Sequence, residues 1–253
     1  MQFEFSSAVP GDQAALDIYR GKWASSMPAE SGLEAGALDH FNDTRVTWAD
    51  KVLNIRGKRI LELGPFEAYN TYQFEKLGAI HVTSIESSIE NFLKCLVIKN
   101  TFDLKAKFLH GDFEKFEPDV HFDVVWASGV LYHLVKPIAF LEKILTWSDK
   151  VFLWTQYYDA SVLVPEHSGS ANFNADNDKI VNFRGRDIRL HWRSYLSLDG
   201  ANLFSGGSEN FSYWLELEDI KFVFNSFGFE NIVMGVNNPQ HPPGPACFFI
   251  ATK

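Results

Sequence analysis

Arg59-Ile-Leu-Glu-Leu-Gly-Pro-Phe-Glu-Ala-Tyr69 reads as a short apolar strand, Ile60 to Leu63, that breaks at Gly64 into a turn and then a helix. Helix starts carry free N–H groups and the positive end of the helix dipole, so an anionic ligand group can settle there. Twenty-two residues beyond Gly64, a second strand, Ser84-Ile-Glu86, ends in an acid. A carboxylate at that place can accept from both hydroxyls of a ribose. The two pieces together predict a βαβ unit that holds a ribonucleoside.

The glycines narrow the choice of nucleoside. A dinucleotide site uses G-x-G-x-x-G, because backbone must press against a pyrophosphate and the helix must pack closely on the strand. Here the second and third glycine positions read Phe66 and approximately Tyr69. A cofactor without phosphates has less need of that approach. S-adenosylmethionine is one: its carboxylate suits the turn at Gly64-Pro65, and its ammonium suits an acid such as Glu62.

Four pieces in chain order then carry a family resemblance: Leu61-Glu-Leu-Gly64, Ile85-Glu86, Gly111-Asp-Phe113, and Phe122-Asp-Val-Val-Trp-Ala-Ser-Gly-Val-Leu-Tyr-His133. From about Gly57 to Lys253 the chain resembles the class I S-adenosylmethionine-dependent methyltransferases. It is especially similar to a bacterial subgroup with Leu-Glu-Leu-Gly-Pro in place of the Gly-rich loop, of which the tRNA wobble-uridine carboxymethyltransferase is a more distant relative. The resemblance implies an α/β, Rossmann-like fold with a seven-stranded, mostly parallel sheet whose last strand is reversed. It also implies S-adenosyl-L-methionine as cofactor and methyl transfer as reaction. Carried over residue by residue, it places Glu62, Gly64 and Pro65 at the first motif, Glu86 on the ribose, Asp112 and Phe113 at the adenine, and Ser128 and Gly129 beside the methyl group. Phe66 and Ala68 stand where the family usually has glycines.

Composition bounds the alternatives. A chain of 253 residues, 46% of them hydrophobic, can build a full core as one α/β domain with additions. The start, Met1-Gln-Phe-Glu-Phe-Ser-Ser, is mixed and acidic, and no stretch approaches membrane-spanning length, so a soluble, cytoplasmic protein is expected. The two cysteines, Cys95 and Cys247, have neither metal-ligand spacing nor a disulfide framework. A net charge of -9 argues against phosphate-backbone binding, which relies on Lys and Arg displacing counterions. The oligomeric state stays open.

Residues 1–56 read as an N-terminal helical cap, with helical spacing from about Asp12 to Asn54 broken by a Gly/Pro/Ser stretch at Ser25 to Gly36. Residues 57–253 form the expected cofactor-binding domain. Its first helix runs from Tyr69 to Leu77 and stops at Gly78. Ser87-Ser-Ile-Glu90 looks like a capping box, and Ile89, Phe92, Leu93, Leu96 and Val97 then follow helical spacing without a miss. Only about ten residues separate the third strand's Asp112 from the fourth strand, so the helix between them is short or absent. Pro137 begins another helix. Tyr157 to Trp214 is a long segment leaving the carboxyl end of a central strand, where ligands bind on open α/β sheets, and is read as a substrate-binding lid.

Methyl transfer from a sulfonium is an in-line displacement, so the protein chiefly aligns the nucleophile and excludes water. An alcohol or phenol also has a proton to lose. His133 is the best-placed base, with Tyr132 beside it and His191 as a second candidate; packing roles compete for all three. Arg184-Gly-Arg-Asp-Ile-Arg-Leu-His-Trp-Arg193 suggests an anionic acceptor, against the ordinary alternative of surface ion pairs. Trp154, Tyr157, Trp192, Tyr195 and Trp214 are candidates for an aromatic pocket. The expectation is a methyltransferase acting on oxygen, or nitrogen, of a small molecule or glycan. The rivals are a nucleic-acid (carboxy)methyltransferase, a nicotinamide-dependent oxidoreductase, which Phe66 disfavours, and a non-catalytic nucleoside-binding protein.

Overall fold

The computed structural model describes residues 5–195 and 209–253. Seven strands form the central sheet: β1 (Arg59–Leu63), β2 (His81–Glu86), β3 (Lys107–His110), β4 (Val124–Ser128), β5 (Lys150–Gln156), β9 (Asn231–Asn238) and β10 (Ala246–Thr252). Their order is β3-β2-β1-β4-β5-β10-β9, and β10 alone runs opposite to the other six. The Rossmann-like sheet with its reversed last strand is therefore as expected. The chain turns outward from β1 in both directions, which opens a crevice at the carboxyl ends of β1 and β4.

Helices α3 (Tyr69–Lys76), α4 (Ile89–Thr101), α5 (Pro137–Trp147) and α6 (Leu217–Asn225) connect the strands. Between β3 and β4 there is only a 3-10 turn, Phe113–Lys115. Ile138, Leu141, Ile144 and Leu145 of α5 are buried with Ile220, Val223 and Phe224 of α6 against one sheet face. The opposite face holds Phe74, Trp126 and Phe152, and here α2 (Thr44–Leu53) contributes Val46, Ala49 and Leu53. Trp126 stacks on Phe152 with centroids 3.6 Å apart, while its Nε1 donates to Asn70 Oδ1 at 3.1 Å.

Three local expectations need correction. The segment from Asp12 to Asn54 holds one short α-helix, α1 (Asp12–Leu16), and α2; the Pro- and Gly-containing stretch between them makes 3-10 turns and a single β-bridge between Ser25 and Leu38. Helix α4 is capped by Ser88, whose Oγ accepts from Asn91 N at 3.3 Å, so Glu90 is not a capping-box partner and reaches Lys22 instead. Its buried stripe is Asn91, Lys94, Cys95 and Ile98, while Ile89, Leu93 and Leu96 are exposed. The apolar periodicity misled because the inward stripe includes a lysine that is neutralised internally.

Within 157–214, β6 (Lys179–Phe183), β7 (Arg186–Ser194) and β8 (Phe211–Trp214) form a separate antiparallel sheet; residues 196–208 of the expected lid lie outside the described residues. No helix among the described residues is long and apolar enough to cross a membrane.

Candidate active site

A cleft of about 830 Å³ lies over the carboxyl ends of β1, β2, β4 and β5. That volume is toward the upper end of small-molecule sites, ~300–1,000 Å³. Gly64 ends β1 with φ +69°, and a Cβ there would stand 2.8 Å from Val130 Cγ1. Only glycine fits that close passage of backbone against the turn after β4.

The turn beyond Gly64 keeps glycine-like geometry without glycine. Phe66 and Ala68 have φ +57° and +59°, each a left-handed conformation costing ~1–2 kcal/mol. The surroundings hold them there. Phe66 N donates to Glu86 Oε2 at 3.1 Å, and Cys95 Sγ donates to Phe66 O at 3.3 Å. Between them Glu67, fully buried, accepts from Ala24 N at 3.1 Å, Ser25 N at 2.8 Å and Lys94 Nζ at 3.0 Å. Lys94 also donates to Lys22 O at 2.6 Å and lies under the Trp23 ring. The N-terminal segment is thereby tied to the turn.

Glu86 and Asp112 face the same cleft. Glu86 is 4% exposed, and its Oε1 accepts from Ser88 N at 2.8 Å. A carboxylate has about four acceptor positions, so the backbone N–H groups on Glu86 leave room for a ribose hydroxyl pair to donate to it. Burial raises its pKa, and backbone N–H groups oppose the rise. Asp112 caps the Phe113–Lys115 turn through Glu114 N at 2.9 Å, and Phe113 packs on Phe140 beneath it. Ser128 and Gly129 also line the cleft, with Gly129 at φ +79° donating its N–H to Trp154 O at 3.0 Å.

Tyr132 and His133 come to the cleft as expected. Burial pushes the Tyr132 phenol above its ordinary pKa, so it stays a donor. His133 Nδ1 lies 2.7 Å from Tyr195 Oη, and burial, with the nearby Arg193 charge, lowers its pKa to about 3. The imidazole is neutral in the native state.

Three sequence candidates do not line the cleft. Glu62 is buried beneath it, accepting from Thr71 Oγ1 and, at 2.7 Å, from Ser84 Oγ; burial lifts its pKa to about 7. Pro65 is buried in the turn. His191 lies in the small sheet between Asp178 and Glu216, at 3.4 and 3.3 Å, stacked on Tyr158.

The arginine run is also displaced from the cleft. Arg186 pairs with Asp219 at 2.6 Å, Arg189 with Asp178 at 3.6 Å, and Arg184 packs on Phe227. Arg193 is buried between Tyr195 and Trp214. Of the proposed aromatic lining only Trp154 faces the cleft; Tyr157 donates to Asn237, and Trp192 stacks on Phe211.

Sequence reasoning missed His40, Arg45, Phe66 and Tyr69 as cleft residues. Arg45 Nη2 pairs with Asp43 Oδ2 at 2.6 Å, and its Cζ sits 5.3 Å above the Trp154 ring. No spacing rule brings residues from the N-terminal segment over this site; only its tertiary attachment does.

A protonation difference between native and unfolded chains makes a test of this geometry. Because His133 has a folded pKa of about 3, below its ordinary 6.5, the unfolded chain gains a proton first as pH falls. Stability then falls between about pH 6.5 and 3, with a limiting slope of ~1.4 kcal/mol per pH unit. Glu62, raised to about 7, acts oppositely between its ordinary 4.5 and that value. Subtracting urea midpoints of His133→Asn from those of the wild type isolates the first effect. Equal slopes for the two proteins would show that His133 is protonated in the fold.

The sheet order and the reversed strand are those of the class I S-adenosylmethionine-dependent methyltransferase fold. Residues 61–148, about a third of the chain, match the model of a family described as a methyltransferase domain. Over 96 residues the chain is 30% identical to the tRNA U34 carboxymethyltransferase of Dichelobacter nodosus, a match covering 38% of this chain and 30% of that protein. The match thus spans less than a third of the curated relative's length. The N-terminal domain of EvdMO1, crystallised in the presence of SAH and D-fucose, has a TM-score of 0.71 at 17% identity, covering 96% of this chain and 94% of that one. Magnesium protoporphyrin IX methyltransferase from Synechocystis PCC 6803, with bound SAH, gives 0.54 at 12% identity, covering 96% and 100%. These structural likenesses concern the fold.

Proposed function

We propose that this chain methylates a hydroxyl oxygen, or a nitrogen, of a small neutral polyhydroxylated acceptor of sugar type. The observation that carries this reading is the cleft's lining beyond the nucleoside acids: the rings of Phe66, Tyr69, Trp154 and Tyr132, with Arg45 neutralised by Asp43. Aromatic faces suit the C–H faces of a sugar, and an internally paired guanidinium gives an anion little net attraction. EvdMO1, whose domain was crystallised with D-fucose, supports the same direction.

S-adenosylmethionine, when bound, supplies an activated methyl on a sulfonium. The chain's own residues do the positioning. Glu86 and Asp112 hold the adenosine, Gly64 and Gly129 let backbone approach, and Tyr132 presents a hydroxyl donor toward the acceptor. A neutral His133 adds no positive charge beside the sulfonium.

The test combines calorimetric titration of S-adenosylhomocysteine with transfer of labelled methyl to D-fucose and other neutral monosaccharides, to uronic acids and sugar phosphates, and to tRNA. Labelling of neutral sugars is the expected result. Labelling confined to the charged sugars or to tRNA would overturn the acceptor class, and absence of cofactor binding would overturn the function.

A further inference from the structure

We infer that His40, supplied by the N-terminal segment, is the group that takes the proton from the acceptor hydroxyl during methyl transfer. The inference rests on the methyl-transfer reading above and assigns its proton acceptor.

The geometry separates two cleft histidines. His40 lines the cleft with its ring 4.9 Å from Tyr69 and 6.4 Å from Phe66. Its Nδ1 lies 3.0 Å from the hydroxyl of Ser25, which is fully buried and held through its own N–H by Glu67. With Nδ1–H donating to Ser25 Oγ, the lone pair is on Nε2, which has no hydrogen-bond partner among the described residues. Ser25 Oγ can accept from this nitrogen or donate to it, and the base role uses the accepting arrangement.

Electrostatics point the same way. The charged groups facing His40 are Glu67 of the cofactor turn, Arg45 of α2, and Asp43 and Asp39 that flank its own turn. Three acids against one cation favour an imidazolium there. Burial is the larger effect and lowers the pKa from its ordinary value, so the resting ring is neutral and able to accept. At His133 the Arg193 charge opposes protonation.

The step balances. The acceptor oxygen forms a bond to the methyl carbon as the carbon–sulfur bond breaks, and the electron pair of that bond remains on sulfur, leaving a neutral thioether. The hydroxyl proton passes to His40 Nε2, and the imidazolium returns it to solvent after product leaves.

Two measurements test this on the full chain. In the S-adenosylhomocysteine complex, the His40 ring signal, assigned by its loss in His40→Asn, should be neutral at pH 7 and titrate below about pH 6.5. With D-fucose or whichever hydroxyl acceptor is labelled, His40→Asn should lower kcat roughly 10²- to 10³-fold and abolish the acid limb of the pH profile, with cofactor affinity unchanged. Ser25→Ala should lower kcat less and keep that limb. A thiol analogue of the same acceptor, which ionises unaided near neutrality, should restore turnover to His40→Asn. A His40 protonated at pH 7, a His40→Asn enzyme with wild-type kcat, or one not rescued by the thiol overturns the assignment. Failure of the wild type to bind S-adenosylhomocysteine would instead strike at the function itself.

Discussion

Glu86→Ala is expected to weaken S-adenosylhomocysteine binding by at least ~10²-fold, since hydrogen bonds to a charged group contribute about 1.5–3 kcal/mol each and two ribose hydroxyls lose their acceptor. The same substitution strips the partners from Phe66 N and Ser88 N, so the turn after β1 loosens together with the start of α4. Glu86→Gln keeps the volume and one carbonyl acceptor but not the charge, and should fall between alanine and wild type. Calorimetric titration, with circular dichroism as a check on folding, measures both. Wild-type affinity in a folded Glu86→Ala protein would remove the ribose from this carboxylate and with it the reading of the cleft.

The second large effect concerns stability. Glu67→Ala removes the buried counter-charge of Lys94, whose side chain is 4% exposed, and leaves it only the half-exposed Glu90 at 3.5 Å. Breaking such a pair costs about 3–5 kcal/mol. Ala24 N and Ser25 N lose their acceptor in the same step. A double variant, Glu67→Leu with Lys94→Met, replaces the pair by apolar volume and should recover much of that loss, because well-packed apolar substitutes for buried ion pairs are often neutral. It should not recover cofactor affinity, since the carboxylate that ties residues 22–25 to the turn is gone. Urea denaturation and calorimetry on the single and double variants separate the two consequences. A Glu67→Ala protein as stable as the wild type would show that Glu90 or water suffices to neutralise Lys94.

The parts of this molecule legible in the sequence are those whose signals are local. The strand at Ile60, the stop at Gly64, the acid at Glu86 and Pro137 as the first residue of α5 each announce themselves within a few positions, and four such pieces in order give the sheet. The parts that were not legible depend on partners far along the chain. Ile89, Leu93 and Leu96 carry helical spacing yet face solvent, because Lys94, a residue no hydropathy rule would bury, has Glu67 to neutralise it. Glu62 reads as a ligand for an ammonium group, but it lies beneath the cleft with Thr71 and Ser84 donating to its Oε2. His191, Arg186 and Arg189 find their acids at Asp178, just before β6, and at the start of α6, which spacing along one strand cannot reveal. His40 and Arg45 enter the cleft from a segment with no motif of its own.

The attachment of Glu67 to Ala24 and Ser25 also bears on engineering. A designer grafting this nucleoside-binding loop onto another scaffold from Arg59 onward would transplant Phe66 and Ala68 without the backbone amides that help fasten them in their unfavourable dihedrals. The minimal portable unit is therefore discontinuous: the recipient must also receive residues 22–25, or have glycines installed at both positions.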